Sequence, residues 1–331
     1  MRVLVSEFVT GGGLAGGTIP PGLHAEGDMM LSAVVKDLAD LPGVTVVATR
    51  DARLPPADLP ARVVPVEGGV DPWRVWQRLA DEADALLPIA PETGGALERL
   101  SRLTEDADCT LLGSAPDAVR LTAGKRRTAA HLAAAGVPVA AAGPPTHPPP
   151  SETGWVVKPD DGAGCVNTWL CRNGDPSVAG AASDAGGATV AQVFMPGPAA
   201  SLSLLCRDGD AWLLACNRQH VALRAGRFVY QGGTVCGLEA ARPVLAPLAQ
   251  RIVRALPGLW GYVGVDLVLA ETGPVVIEIN PRLTTSYVGL HRAIGANPAA
   301  LILDLLSRPV AAIRRTLQSV PTAVTTDLCH V

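Results

Sequence analysis

The sequence predicts an α/β protein with more than one lobe, and three observations support this. Over residues 1–113, apolar strand-like segments alternate with helical ones, which is typical of a parallel sheet covered by helices on both faces. Segments 263–270 and 274–280 flank a three-residue turn that contains glycine, which predicts an antiparallel hairpin. At 331 residues the chain is long enough for two or three lobes with separate cores.

The elements of the N-terminal region are predicted in a regular order. Strands are expected at residues 3–5, 44–48, 63–66, 85–89 and 110–112, and helices at 27–39, at 71–82 and from about 92. Loops 10–13 and 90–95 leave the carboxyl ends of their strands, where parallel sheets usually bind ligands. The proline-rich stretch 140–150 predicts a connector without regular structure, and 298–306 predicts a C-terminal helix.

The hairpin carries a candidate metal site. Glu278 and Asn280 are two residues apart on one strand, so their side chains share a face. The turn can bring Asp266 opposite Glu278 on the neighbouring strand. Oxygen ligands with room for water and phosphate suit Mg²⁺ that is bound together with a nucleotide.

Lysine is rare in this chain. Of 27 basic residues only Lys36, Lys125 and Lys158 are lysine. Lys158 ends an apolar strand and precedes a glycine turn, 161–165, whose N–H groups can close over phosphate. Lys125 precedes a helical run. Compact ammonium charges suit phosphate oxygens, so both lysines are predicted to bind a nucleotide.

These pieces together resemble the ATP-grasp superfamily over about residues 114 to 310. The order is Lys125, Lys158 with its glycine loop, the segment 192–197, Asp266, and Glu278 with Asn280. The resemblance implies an ATP-grasp fold, in which an N-terminal parallel α/β lobe precedes two α+β lobes that enclose the nucleotide. The expected domains are 1–113, 114–193 and 194–331.

The resemblance also implies cofactors and site residues. The expected cofactors are ATP and Mg²⁺ or Mn²⁺, with Asp266, Glu278 and Asn280 as metal ligands. The expected ATP-binding residues are Lys125, Lys158, Gly162, Ala163, Gly164, Gln192, Val193 and Met195. The D-alanine–D-alanine ligase group has an arginine two residues before the metal aspartate, where this chain has Gly264. Arg282 or Arg218 is therefore expected to neutralise charge during phosphoryl transfer.

A narrower resemblance spans nearly the whole chain. The segments 7–13, 89–92, 112–114, 158–164, 217–219 and 279–286 look like those of the tyramine–L-glutamate ligases of methanofuran biosynthesis. It implies that the substrates are L-glutamate, joined through its γ-carboxylate, and an aromatic amine, which is tyramine or, in a bacterial one-carbon pathway, tyrosine. The expected substrate-binding residues are Glu7, Gly12, Glu92, Asn217, Gln219, Thr284, Thr285 and Ser286. A carboxylate must also orient or deprotonate the amine, and Glu7, Glu26 and Glu92 are the candidates.

Composition narrows the alternatives. A net charge of −4 and scattered arginines speak against nucleic acid. The sequence has no apolar run approaching eighteen residues, and its N-terminus reads as a strand, so neither a membrane span nor a signal peptide is expected. Seven cysteines without a C-x-x-C pair indicate a cytoplasmic protein. A dipeptide ligase, a small-molecule kinase and a nucleotide-binding regulator remain alternatives, and a homodimer is left open.

Overall fold

The computed structural model describes residues 1–162, 164–172 and 188–326. Its N-terminal part contains β1 (Arg2–Glu7), α1 (Pro21–Ala39), β2 (Thr45–Asp51), β3 (Arg62–Val66), α2 (Pro72–Asp81), β4 (Ala85–Ile89), α3 (Ala96–Asp106) and β5 (Thr110–Leu111).

The rest of the described chain is dominated by antiparallel strands. Its elements are α4 (Pro116–Ala123), α5 (Lys125–Ala134), β6 (Ala142–Gly143), β7 (Trp155–Pro159), β8 (Trp169–Cys171), β9 (Thr189–Val193), β10 (Ala199–Arg207), β11 (Asp210–Arg224), β12 (Arg227–Val235), α6 (Arg242–Ala255), β13 (Gly261–Ala270), β14 (Gly273–Asn280), α7 (Tyr287–Ile294), α8 (Pro298–Asp304), α9 (Val310–Ile313) and β15 (Thr322–Thr325). Within these ranges, no helix combines the length and apolar character that crossing a membrane requires.

The predicted parallel sheet is confirmed, with strand order β3-β2-β1-β4-β5. The chain leaves central β1 toward β2 and later returns to its other side through β4. This reversal leaves a crevice at the carboxyl ends of β1 and β4, which is where open parallel sheets bind ligands. Glu7 and Ile89 pair there as the last residues of their strands.

The second sheet has the order β14-β13-β10-β11-β12-β8-β7-β9-β6, and β15 also pairs with β12. The predicted hairpin is confirmed as β13 and β14. Asp266 pairs with Glu278 and Gly264 with Asn280, and the register shifts just after Asp266. The hairpin therefore places the three predicted metal ligands on neighbouring strands.

Helix α1 joins the parallel sheet to the C-terminal helices. Its buried side chains share one hydrophobic core with β1, β4, α7 and α8. The Nδ1 atom of His291 lies 2.6 Å from an Asp37 carboxylate oxygen, and Asn297 Nδ2 donates to the Asp37 carbonyl at 2.7 Å. These contacts fix α1 beside the crevice of the parallel sheet.

Three predicted boundaries are wrong. Helix α1 begins at Pro21, six residues before the predicted start, because proline is well suited to a first helical turn. The helix expected from about residue 92 begins at Ala96, since Gly94 and Gly95 adopt φ of +62° and +72°. Residues 140–150 include a short strand, because β6 completes the edge of β9.

We predict that Gly232→Ala destabilises the protein more than Gly226→Ala does. Both glycines have positive φ, of +102° and +81°, so alanine costs roughly 1–2 kcal/mol at either position. A Cβ at Gly232 would also lie 2.1 Å from the Val324 carbonyl oxygen, whereas at Gly226 the space is open. Thermal unfolding should show the larger loss for Gly232→Ala, and equal losses would contradict this packing of β15 on β12.

Candidate active site

One cavity of about 280 Å³ lies where the two sheets meet. The carboxyl ends of β1 and β4, with helix α1, form one side, and β7, β9, β13 and β14 form the other. Most residues that the sequence singled out line this cavity. They are Glu7, Lys125, Lys158, Gly162, Gly164, Gln192, Val193, Met195, Gln219, Asp266, Glu278, Asn280, Arg282, Thr284, Thr285 and Ser286.

Both predicted lysines are buried on the cavity wall. Lys158 on β7 is 7% exposed, and none of the described residues accepts a hydrogen bond from its ammonium group. Burial lowers the pKa of Lys158, the nearby Glu278 carboxylate opposes this, and Lys125 lowers it further. A buried cation without a hydrogen-bond partner is costly, and anionic oxygen in the cavity would relieve that cost.

Lys125, at the first turn of α5, is held by two parts of the second sheet. Its Nζ donates to the Gly162 carbonyl at 2.5 Å and lies 3.0 Å from Glu278 Oε1. The same ammonium group therefore connects the glycine loop to the hairpin.

The glycine loop is fixed at both sides. The Asp160 carboxylate accepts from the Arg126 N–H at 2.9 Å and so caps α5. Asp161 accepts from the Gly94 N–H at 3.0 Å, which ties the loop to the turn after β4. Gly162 and Gly164 line the cavity, and the predicted ATP-binding residue Ala163 lies outside the described residues. The described part of the loop thus links the start of α5 to the turn after β4 of the parallel sheet.

The acidic pair of the hairpin is electrostatically asymmetric. Burial raises the pKa of Asp266 to about 6, helped by the negative charge of Glu278 and opposed by hydrogen bonds from Asn280 and Gln219. Burial also acts to raise the pKa of Glu278, but Lys125 and Lys158 outweigh it and the net shift is downward. Glu278 is therefore the firmly ionised member of the pair.

The hairpin residues fit a hard divalent cation. Asp266, Glu278 and Asn280 present two carboxylates and one amide on the same cavity wall, the oxygen chemistry that Mg²⁺ prefers. The described ranges contain no cluster of three or more His, Cys, Asp or Glu side chains suited to a metal. Phosphate and water would have to supply the remaining ligands, as they commonly do for Mg²⁺.

Arg282 lines the cavity and forms a buried ion pair with Glu92. Its guanidinium donates to both Glu92 carboxylate oxygens, at 3.0 and 2.9 Å. Glu92 itself is 4% exposed and does not line the cavity. It therefore fixes the arginine in one orientation. Its Nη1 also donates to the Leu283 carbonyl at 3.1 Å, so three of its five N–H groups are used and two are left for a ligand.

The other candidate arginine is not brought into the cavity. Arg218 lies on β11 with its side chain exposed, while Gln219 beside it donates to Asp266 at 2.8 Å. Neighbouring residues of a strand point to opposite faces, so the inward position belongs to Gln219. Gly264 stands where the D-alanine–D-alanine ligase group has its arginine, and a Cβ at this position would lie 2.5 Å from the Thr284 methyl group. A side chain is excluded at that position, and Arg282 is the arginine on the cavity wall.

The predicted adenine segment follows β9. Gln192 is buried, and its Nε2 donates to the Ile277 carbonyl at 3.2 Å. The Val193 N–H donates to Ala141 at 2.8 Å, so this N–H is already used within the sheet. The side chain of Met195 lines the cavity. The Phe194 N–H is also used, since it donates to the Gly154 carbonyl at 2.9 Å, so any backbone N–H offered to adenine must come from beyond Phe194.

The hydroxyl cluster after β14 is hydrogen-bonded to tyrosines. Thr285 Oγ1 lies 2.8 Å from the hydroxyl of Tyr230, and Thr284 Oγ1 lies 3.0 Å from that of Tyr262. Ser286 begins the turn into α7. These partners fix the hydroxyl groups on the cavity wall, and Tyr230 is a lining residue that the sequence did not reveal.

Two further predicted substrate residues lie away from the cavity wall. Asn217 is buried in the second sheet, where it donates to Ser203 at 3.0 Å and accepts from the Cys236 N–H at 3.2 Å. Gly12 has φ of +106°, and a Cβ there would lie 2.7 Å from a Val66 methyl group. Both residues lie behind the side chains that line the cavity and make only structural contacts.

One face of helix α1 lines the cavity, and most of it went unpredicted. Leu23, Glu26 and Met30 are spaced three and four residues apart, so they share that face. Of these three residues, only Glu26 is predicted from the sequence to take part in the site. The spacing of the three residues indicates a shared helical face. The predicted helix, 27–39, begins after Leu23 and Glu26, so this face is missing from the prediction.

Comparison with known proteins gives the class to which this site belongs. Residues 122–286 match the ATP-grasp domain, and residues 44–119 match the pre-ATP-grasp 3 domain. The chain therefore belongs to the ATP-grasp family, and the predicted ATP-grasp fold is confirmed. A putative ATP-grasp superfamily protein from Archaeoglobus fulgidus has a similar structure, with a TM-score of 0.71, 24% identity, and coverage of 98% of this chain and 99% of that one.

Two similar proteins carry one name, tyramine–L-glutamate ligase. The protein from Methanocaldococcus jannaschii is 29% identical over 211 residues, which is 64% of this chain and 59% of the relative. The protein from Methanocaldococcus fervens is 26% identical over 283 residues, or 84% of this chain and 86% of the relative. The first alignment thus spans less than two thirds of that relative's length.

We predict that Lys158→Met raises KM for ATP by roughly tenfold or more, as loss of a buried charge-assisted contact to phosphate would. Lys158→Arg should be a poor substitute, because a planar fork does not fit a pocket shaped for a compact ammonium group. Steady-state kinetics of ADP release would measure both. Lys36→Met, at an exposed position of α1, is the matched control. Unchanged KM and kcat in both Lys158 variants would show this lysine to be incidental.

Glu278→Gln should lower ATP turnover by roughly 100-fold or more, because it removes charge that orients cation and phosphate. It should also lower stability, since breaking a buried ion pair costs about 3–5 kcal/mol. ADP release and thermal unfolding would measure the two effects. Glu271→Gln, exposed at the tip of the same hairpin, should change neither. Near-normal turnover in Glu278→Gln would contradict the proposed role of the hairpin.

Proposed function

We propose that this chain is an ATP-dependent carboxylate–amine ligase that joins the γ-carboxylate of L-glutamate to tyramine or tyrosine. The observation that carries the proposal is a single cavity that holds two buried lysines, an acidic hairpin and a fixed arginine beside the crevice of a parallel sheet. The names of the two similar ligases support the choice of substrates. The corresponding place in metabolism is the synthesis of a methanofuran-type cofactor in the cytoplasm.

The first half-reaction activates the acid. A γ-carboxylate oxygen of glutamate attacks the γ-phosphorus of ATP, the bond from that phosphorus to the bridging oxygen breaks, and ADP leaves. Lys125 and Lys158 would hold the phosphates from one side of the cavity. Arg282 would attract the incoming carboxylate and the charge of the moving phosphoryl group, and Glu92 keeps it aimed.

Asp266, Glu278 and Asn280 would hold Mg²⁺, which when bound supplies positive charge to the phosphate oxygens. Gln219 and Asn280 hold the Asp266 carboxylate in place. The glycine loop, tied to the turn after β4 through Asp161, would limit water at the phosphates. Exclusion of water matters because an acyl phosphate would otherwise hydrolyse.

The second half-reaction forms the amide. The amine nitrogen attacks the acyl carbon, the carbon–oxygen bond to phosphate breaks, and phosphate leaves with the electron pair. Phosphate is a good leaving group where a bare carboxylate offers none. The hydroxyl groups of Thr284, Thr285 and Ser286 would position the activated carboxylate during this step.

The test is a product screen by mass spectrometry with ATP, Mg²⁺, glutamate and a panel of amines. We expect a glutamyl amide with tyramine or tyrosine, and ADP formation that requires glutamate. Amides formed only with D-alanine or another amino acid would overturn the substrates and leave a dipeptide ligase. ADP formed without any amide would indicate a kinase and overturn the ligase assignment.

A further inference from the structure

Three carboxylates stand near the side of the cavity formed by the parallel sheet, and two of them are occupied. Glu7, at the end of β1, accepts from the Thr10 N–H and the Thr10 hydroxyl group, each at 2.6 Å, and from the Val9 N–H at 3.2 Å. Glu92 accepts two hydrogen bonds from Arg282. Both carboxylates therefore hold the protein's own groups in place.

Glu26 differs from both. It lies on the cavity wall, and no described residue donates a hydrogen bond to its carboxylate or forms an ion pair with it. A partly buried carboxylate without a partner is costly in a folded protein, so its environment indicates a ligand that brings a positive charge or a donor.

The surroundings of Glu26 are apolar at one end and hydroxyl-bearing at the other. Leu23 and Met30 flank it on the same face of α1, and Val9, Ile89 and Pro91 line the adjacent wall. Among the described basic side chains that line the cavity, Lys125 and Lys158 belong to the phosphate side, whereas Arg282 lies between the two sides with its guanidinium donating to Glu92. This region thus suits an apolar body that carries one cationic nitrogen.

We propose that Glu26 binds the ammonium group of the acceptor amine and removes its proton before the amine attacks the acyl phosphate. This inference rests on the proposed ligase reaction and identifies the residue that its second half-reaction requires. The apolar side chains on α1 and after β4 would hold the ring or alkyl body of the amine. An amine without an α-carboxylate fits best, because Glu7 and Glu26 would repel a second negative charge.

The protons balance through two acceptors. The ammonium group gives one proton to the Glu26 carboxylate and becomes a neutral amine. The nitrogen then forms its bond to the acyl carbon as the bond to phosphate breaks, and the departing phosphate takes the second proton. Glu26 returns its proton to solvent after the amide leaves.

The charge environment of Glu26 agrees with this role. Burial raises its pKa to about 7, and attraction to Arg282 opposes the rise. The other ionisable groups that interact with it are Tyr230 on β12 and Cys165 in the glycine loop, whose thiol pKa burial raises to about 12. Among the described residues, the other titratable groups on this side are Glu7 on β1 and Glu92, and Glu92 is paired with Arg282. A base with a pKa near the working pH transfers protons efficiently in both directions.

Two assays separate Glu26 from the activation step. The first traps the acyl phosphate with hydroxylamine, which is neutral near neutral pH and needs no base, as a glutamyl hydroxamate. The second measures amide formation with tyramine. Both use the full-length protein, the variants Glu26→Gln and Glu26→Asp, and Glu67→Gln as an exposed control.

Glu26→Gln should form hydroxamate at nearly the wild-type rate and amide roughly 100-fold more slowly, the usual contribution of a general base. Glu26→Asp should fall between the two proteins, and Glu67→Gln should match wild type in both assays. The wild-type amide rate should rise with pH through about 7, because the base must be ionised, and this step should vanish in Glu26→Gln.

Several results would overturn the proposal. An amide rate of Glu26→Gln within a few-fold of wild type would show that Glu26 is not the base. Equal loss of hydroxamate and amide in both Glu26 variants would assign the residue to folding or activation instead. Wild-type protein that makes no hydroxamate with glutamate would refute the proposed acid substrate itself, which is a different failure from that of Glu26.

Discussion

The buried ion pair between Lys125 and Glu278 is the interaction on which the site depends. It joins the start of α5 to strand β14 at 3.0 Å, and the same ammonium group donates to the Gly162 carbonyl. Helix, hairpin and glycine loop therefore meet at one charge. Without either partner the other would be a buried, unpaired ion, which costs about 3–5 kcal/mol. This constraint keeps the loop near the hairpin.

The ion pair also sets the charges around it. Lys125 and Lys158 keep Glu278 ionised, and the ionised Glu278 in turn raises the pKa of Asp266. Lys158 is left without a hydrogen-bond partner among the described residues, and burial lowers its pKa. A cation placed by the hairpin and an anion placed by the lysines would satisfy these groups together. The charges of the pocket are thus only partly neutralised by the protein itself, and they are complementary to a cation paired with phosphate.

Local pattern allowed prediction of the fold class and of the polar residues at the centre of the cavity, because both depend on period and order along the chain. The two-residue spacing of Glu278 and Asn280 on a strand and the turn after Ala270 were sufficient to place Asp266 opposite Glu278. Contacts between distant segments were not predictable in this way. The pairing of Arg282 with Glu92 joins residues 190 positions apart. Whether the side chain of Arg218 faces the cavity or solvent depends on how β11 is aligned with its neighbouring strands. The predicted helix boundaries were wrong where glycine and proline lie close together in the sequence, as they do before Ala96.

The division of the cavity into two chemical halves follows from its two sheets. The antiparallel sheet and helix α5 contribute the lysines and the metal-type ligands, whereas the parallel sheet and α1 contribute carboxylates and apolar side chains. Arg282 lies at the junction, fixed by Glu92 and attracted to Glu26. An acid activated at that junction would face the phosphates on one side and Glu26 on the other. Because a protonated amine cannot attack, the proposed second step needs a proton acceptor, and Glu26 would serve as one.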